Sequence, residues 1–186
     1  MTQPSQTHLM AAGQTAPLFT ETQRFGQWWL RALLLIVFGV PMWGVIQQVV
    51  LGKPWGDNPA PNAALILLAF LFGLVLPVFM LSLNLRTEVR RDGIYVRFWP
   101  LHLGWVRIPP AAVTAFEACT YRPLRDYGGW GIRWGPKGKA YNVSGNRGVM
   151  LTLEGRRRLL LGSQHEDELA KAIATMKTGE GSEAVS

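Results

Sequence analysis

Cysteine is nearly missing from this chain: Cys119 stands alone among 186 residues. No intramolecular disulfide can form, and no paired-thiol metal or redox pattern can be drawn. Histidine is almost as scarce. His8, His102 and His165 lie far apart, none with a second histidine or a carboxylate at metal-binding spacing. Ser144, within Asn142 to Asn146, lacks the first glycine of a nucleophile elbow. Gly129-x-Gly131 continues to Gly135 instead of the position a dinucleotide fingerprint requires, and no helix pattern follows it. Nothing resembling a recognition helix, a zinc-finger spacing or an RNA-binding strand motif is present, so no nucleic acid is expected. These absences argue against an enzyme and imply no cofactor. Acidic residues are also in deficit, 12 against 19 Lys and Arg, for a formal net charge of +7.

Charge is absent from the whole run Ala63 to Leu83. At about 1.5 Å per residue that run is long enough to cross a hydrocarbon layer of roughly 30 Å. A second apolar stretch, Trp28 to Leu51, lies upstream. Arg31 near its start can snorkel to the head groups, the Trp28-Trp29 pair suits an interfacial belt, and Pro41 is tolerated in a membrane helix. A full crossing is therefore expected in preference to a re-entrant segment or a cleaved signal peptide. Residues 52–62, rich in Pro and Gly, form the turn of a helical hairpin spanning 28–83. Lys53 is the only base in that turn, whereas Arg86, Arg90 and Arg91 follow the second span at once. The loop-charge bias then puts both termini in the cytoplasm, in an inner-membrane protein that crosses twice. Residues 1–27 and 178–186 carry no periodicity and are expected to be a disordered leader and tail.

From Asn84 the pattern turns to short strands. Asp92-Gly93, between alternating segments, is a hairpin signature that sets Val89 opposite Val96, Thr87 opposite Phe98 and Glu88 opposite Arg97. Trp105 to Ile108, Val113 to Thr120, Trp130 to Trp134, Val149 to Leu153 and Arg158 to Leu161 follow, making seven strands with the hairpin. Cys119 falls on one of them as a small core residue. The period then changes: Ser163 and Glu166 read as a capping box, and Leu169, Ile173 and Met176 share one face of a final helix.

The segments LRTEVRRDGIYVRF, DYGGWGIRWG and RLLLGSQHEDELAKAI, in that order, resemble a bacterial pleckstrin-homology domain over residues 84–177. The layout resembles an uncharacterised group of bacterial membrane proteins in which two N-terminal spans precede such a domain. The resemblance implies an α+β chain: a two-helix transmembrane hairpin, then a seven-stranded barrel or sandwich closed by one C-terminal helix. It implies no activity. A six-stranded closed barrel with an accessory helix is the alternative.

Tyr121 to Gly135 is the most distinctive stretch. Its glycines could bring backbone N–H groups to an anion, with Arg122, Arg125, Arg133 and Arg147 supplying charge, or they could simply permit a long turn and close packing of Trp130 or Trp134. Lys137 and Lys139 lie in a second glycine-rich segment, expected as a mobile loop. In proteins with the fold it resembles, such loops often hold lipid phosphates, so these six bases are the candidate anion- or lipid-binding residues. The phosphoinositide-binding pattern does not transfer, since the first hairpin turn is too short to carry it. Arg156, Arg157 and Arg158 read as a solvated basic strand end. The functional expectation is a membrane-anchored, non-catalytic interaction module that assembles with a second copy or another membrane protein, or alternatively reads anionic lipid head groups.

Overall fold

The computed structural model describes residues 16–183. The disorder expected of residues 1–15 and 184–186 lies outside the described residues. The chain forms two compact units, one of residues Phe25–Leu83 and one assembled from the segments on either side of it.

The first unit is a pair of helices, α1 (Trp28–Val50) and α2 (Asn62–Ser82), both long and apolar enough to cross a membrane. Only 6% and 11% of their most apolar windows are buried, which separates them from the core helices of a soluble fold. The last turn of α1, Ile46–Val50, and a turn within α2, Leu71–Val75, are π-helical; the second lies just before Pro77, whose missing N–H relaxes the ladder there. The helices approach through glycine: a Cβ on Gly73 would meet the Phe38 ring at 3.1 Å, and one on Gly44 would meet the Trp55 ring of the turn at 2.6 Å. Gln48 holds the turn, donating from Nε2 to the Ala60 carbonyl at 2.6 Å and to Asn62 Oδ1 at 2.8 Å.

The second unit holds nine strands among the described residues, not seven, in two sheets. The first sheet has the order β1-β2-β3-β4, formed by β1 (Phe19–Arg24), β2 (Asn84–Arg90), β3 (Gly93–Trp99) and β4 (Val106–Ile108). The second has the order β5-β8-β9-β7-β6, formed by β5 (Val113–Thr120), β6 (Gly131–Gly135), β7 (Gly138–Asn142), β8 (Arg147–Leu153) and β9 (Arg157–Gly162). Each sheet ends in two edge strands, so neither the seven-stranded barrel nor the six-stranded one closes. All pairings are antiparallel except β7 with β9. The coarse expectation holds: a mixed α+β chain with two apolar helices, β-sheets and a C-terminal helix.

Two strands escape a reading by hydrophobic period. In β1 the inward positions are Phe19, Glu21 and Gln23, two of them polar, so no apolar alternation marks it. The expected leader of 1–27 is thus part of the fold from residue 19, and the domain is discontinuous instead of beginning at 84. β1 pairs with β2 from Phe19 opposite Val89 to Arg24 opposite Asn84, so the helical pair is inserted where a β-hairpin would turn. The segment expected as a mobile loop contains β7, which pairs with both β6 and β9.

The β2–β3 hairpin turns at Arg91-Asp92 instead of Asp92-Gly93. Val89 faces Ile94, Thr87 faces Val96 and Arg86 faces Arg97, a shift of two that leaves every side chain on its expected face. Gly93 serves the neighbouring strand, since a Cβ there would sit 2.7 Å from the Ile108 carbonyl oxygen. On the outer face, buried Glu88 bridges Arg86 and Arg90, each at 2.7 Å, and the Arg90 guanidinium lies over the Tyr95 ring.

Residues 123–127 form a short helix, α3 (Pro123–Tyr127), within what reads as a turn. The last helix, α4 (Glu166–Glu183), runs into the expected tail. Its buried residues Leu169, Ala172, Ile173 and Met176 form one stripe, and it contacts β1 and β2 of one sheet and β5 and β8 of the other. The expected capping box is replaced by a longer-range arrangement. Ser163 Oγ accepts from the His165 N–H at 3.0 Å and donates to Glu21 Oε2 at 2.6 Å, while the Gln164 N–H donates to Glu21 Oε1 at 2.9 Å. Gln23 Nε2 donates to the Gly162 carbonyl at 2.7 Å, completing the attachment of β1 to the end of β9.

Candidate functional site

The six candidate bases do not converge. Lys137 is paired with Asp126 at 2.9 Å and Arg147 with Glu166 at 3.0 Å. The Asp126 carboxyl is held below its usual range by the Arg122 backbone N–H and then by the Lys137 ammonium. Arg133 Nε donates to the Trp130 carbonyl at 2.9 Å, and Arg122 and Arg125 are exposed on and beside α3.

The glycine-rich stretch spends its N–H groups internally. Gly128 donates to the Leu124 carbonyl and Gly129 to the Pro123 carbonyl, closing α3, and Gly131 donates to Asn142 Oδ1 at 2.9 Å. Gly135 is needed for a close approach, because a Cβ there would collide with the Asp126 carbonyl oxygen. The stretch thereby seats Tyr127 against Tyr121, edge to face at 5.9 Å, over Ala140, Met150 and Leu160, with Cys119 packed beside them. Burial pushes both phenols up to about 12, and the Cys119 thiol is raised first by burial and then by Glu117.

Lys139 is the candidate base that reaches a concave surface. A hollow of about 540 Å³ opens between β4 and the β6–β7–β9 end of the second sheet, with Val106, Ile108, Leu153 and Leu159 as apolar walls. Lys139 and Arg157 both line it. The register places them on one face, Lys139 opposite Leu159 and Arg157 two residues before Leu159 along β9. The Lys139 ammonium lies 4.6 Å from the Tyr141 ring centre and 5.1 Å from that of Trp134. Neither Lys139 nor Arg157 is paired with a carboxylate among the described residues. The Tyr141 hydroxyl and His102 Nδ1 are buried without a hydrogen-bond partner among the described residues, and the two rings meet edge to face at 5.6 Å. Burial, helped by the Lys139 charge, lowers the His102 pKa. Arg157 and Tyr141 carry no sequence signal of this role, because only the pairing of β7 with β9 brings them together, and His102 reaches Tyr141 from the turn after β3.

A different surface lies along β5. This strand of eight residues pairs only with β8, leaving its other side as a sheet edge, and Glu117 is its single charge. Thr114, Ala115, Glu117, Ala118 and Thr120 are exposed along it.

Among the described residues no group of three or more His, Cys, Asp or Glu is placed to hold a metal ion. No curated protein matches the chain. A family model matches residues 10–179, covering both compact units, and the chain belongs to that family, a family of unknown function, DUF6141.

Proposed function

We propose that the protein is a membrane-anchored, non-catalytic interaction module, whose two helices cross the inner membrane and whose folded unit, of pleckstrin-homology type, joins a second copy of itself edge to edge on the cytoplasmic side. The positive flank Arg86, Arg90 and Arg91, against Lys53 alone in the turn, supports this orientation. The pairing of Arg24 with Asn84 supports an even number of crossings, since both ends of the hairpin feed one sheet.

The observation that carries assembly is β5. Sheet edges are ordinarily blunted by lysine, proline, bulges or brevity, because a row of free N–H and C=O groups templates pairing with another strand. β5 has eight residues, no proline, no lysine, and an irregularity only at its start, between Val113 and Ala115. Such an edge suits β-augmentation, in which main-chain hydrogen bonds supply affinity.

The test is photo-cross-linking in native membranes with a probe residue at Glu117 of the full chain. A dimer band is expected, and Ala115→Lys with Ala118→Lys, which puts like charges into the joint, should reduce it about fivefold or more. A monomer band that instead stays on acidic vesicles at high salt with head-group preference would replace assembly by lipid reading.

A further inference from the structure

We propose that the hollow between β4 and the β6–β7–β9 end of the second sheet is a binding site for an amphipathic anion, an apolar body carrying a carboxylate or phosphate head. The walls Val106, Ile108, Leu153 and Leu159 take the apolar body, and Lys139 and Arg157 take the head. The space of about 540 Å³ falls within the roughly 300–1,000 Å³ of small-molecule sites, which combine apolar walls with a few placed polar groups.

Charge decides the class of ligand. Among the described residues those lining the hollow include cations and no carboxylate, whereas bases elsewhere, such as Lys137 with Asp126 and Arg147 with Glu166, are paired internally. A cation would be repelled, and a neutral lipid would leave two basic groups without a counter-charge. Lys139 is held over the Trp134 and Tyr141 rings, so its position is set before any ligand arrives. Tyr141 is 1% exposed and its hydroxyl lacks a partner among the described residues, although buried polar groups are ordinarily satisfied. Arg158 also borders the hollow, but it alternates with Arg157 along β9 and its charge acts on Tyr127, so the head is assigned to Lys139 and Arg157.

This site requires neither dimerisation through β5 nor recognition of a membrane surface. The experiment uses the full chain in phosphatidylcholine nanodiscs, a long-chain carboxylate bearing a diazirine on its tail, and mass-spectrometric mapping of the adducts. Adducts are expected on peptides containing Val106 to Ile108, Trp134 to Tyr141 and Leu153 to Leu159. Excess dodecanoate or dodecyl phosphate should remove them and dodecanol should not, and whichever anion competes better identifies the head. Lys139→Gln with Arg157→Gln should lower these adducts about tenfold, and Val106→Trp, which fills the hollow, should do the same. Labelling of α1 and α2 by the bilayer-dissolved probe is the internal reference and should not change. Absence of adducts in the hollow, equal competition by dodecanol, or indifference to the Gln substitutions would each overturn the site. Loss of labelling on α1 and α2 alone would count against the membrane anchor, leaving the hollow adducts as the measure of this site.

Discussion

Glu21 shows how much one side chain can hold when its partners are distant in sequence. Its carboxylate accepts from the Ser163 hydroxyl and the Gln164 N–H, fixing the first strand to the start of the last helix from a position only 9% exposed. Removing it strands two donors, and hydrogen bonds to a charged group are worth about 1.5–3 kcal/mol each. Glu21→Ala is expected to cost about 3 kcal/mol or more in the denaturation of the full chain, and Glu21→Gln, which keeps one acceptor, about half as much. The tyrosine pair Tyr121 and Tyr127 gives a pH signature. Burial raises both phenols to about 12, above the ordinary value near 10. The folded state therefore keeps a proton that the unfolded chain has lost, so this stability is complete below pH 10 and is lost as pH rises towards 12. Ultraviolet titration should find both of these phenols ionising late, and loss of that late component on the double substitution Tyr121→Phe and Tyr127→Phe assigns it to them. The same double substitution should flatten the alkaline fall in stability over that window.

At the scale of elements, what could be read in advance was what hydrophobic period records. Both membrane-length helices are legible as long apolar runs, α4 by its apolar stripe, and β2 to β6, β8 and β9 as short apolar or alternating segments between turn signals. β1 is silent because Glu21 and Gln23 point inward, and their partners, Ser163 and Gln164 for the carboxylate and the Gly162 carbonyl for Gln23 Nε2, lie more than a hundred positions away. β7 is silent for another reason. Its five residues, Gly138 to Asn142, offer no apolar alternation, carry a base at Lys139 and sit among glycines that normally signal a loop. That omission also hid the hollow, since Lys139 meets Leu159 only through the parallel pairing of β7 with β9, a long-range register no local pattern encodes. The anion-cradle reading of Tyr121 to Gly135 fared differently. Its residue types were right for such a site, yet its N–H groups close α3 and bond Asn142 instead.

At the scale of the whole molecule, the discontinuity of the folded unit makes a prediction that sequence order alone would reverse. A fragment beginning at Asn84 contains every element after the second helix, but it lacks β1 and leaves the outer edge of β2 open. It also leaves the Ser163 hydroxyl, the Gln164 N–H and the Gly162 carbonyl without their partners. Edge exposure of that kind favours aggregation. Arg24 and Asn84, by contrast, are directly paired across the sheet, and a two-residue turn is the shortest link between paired antiparallel strands. Replacing Phe25–Leu83 by Asn-Gly in the full chain should therefore yield a water-soluble protein with a cooperative unfolding transition, whereas the fragment from Asn84 should aggregate or unfold without one. Circular dichroism and size-exclusion chromatography of the two chains decide the matter. If the fragment proves as stable as the shortened chain, β1 is dispensable, and the helical pair is then a leader appended to a continuous domain rather than an insertion within it.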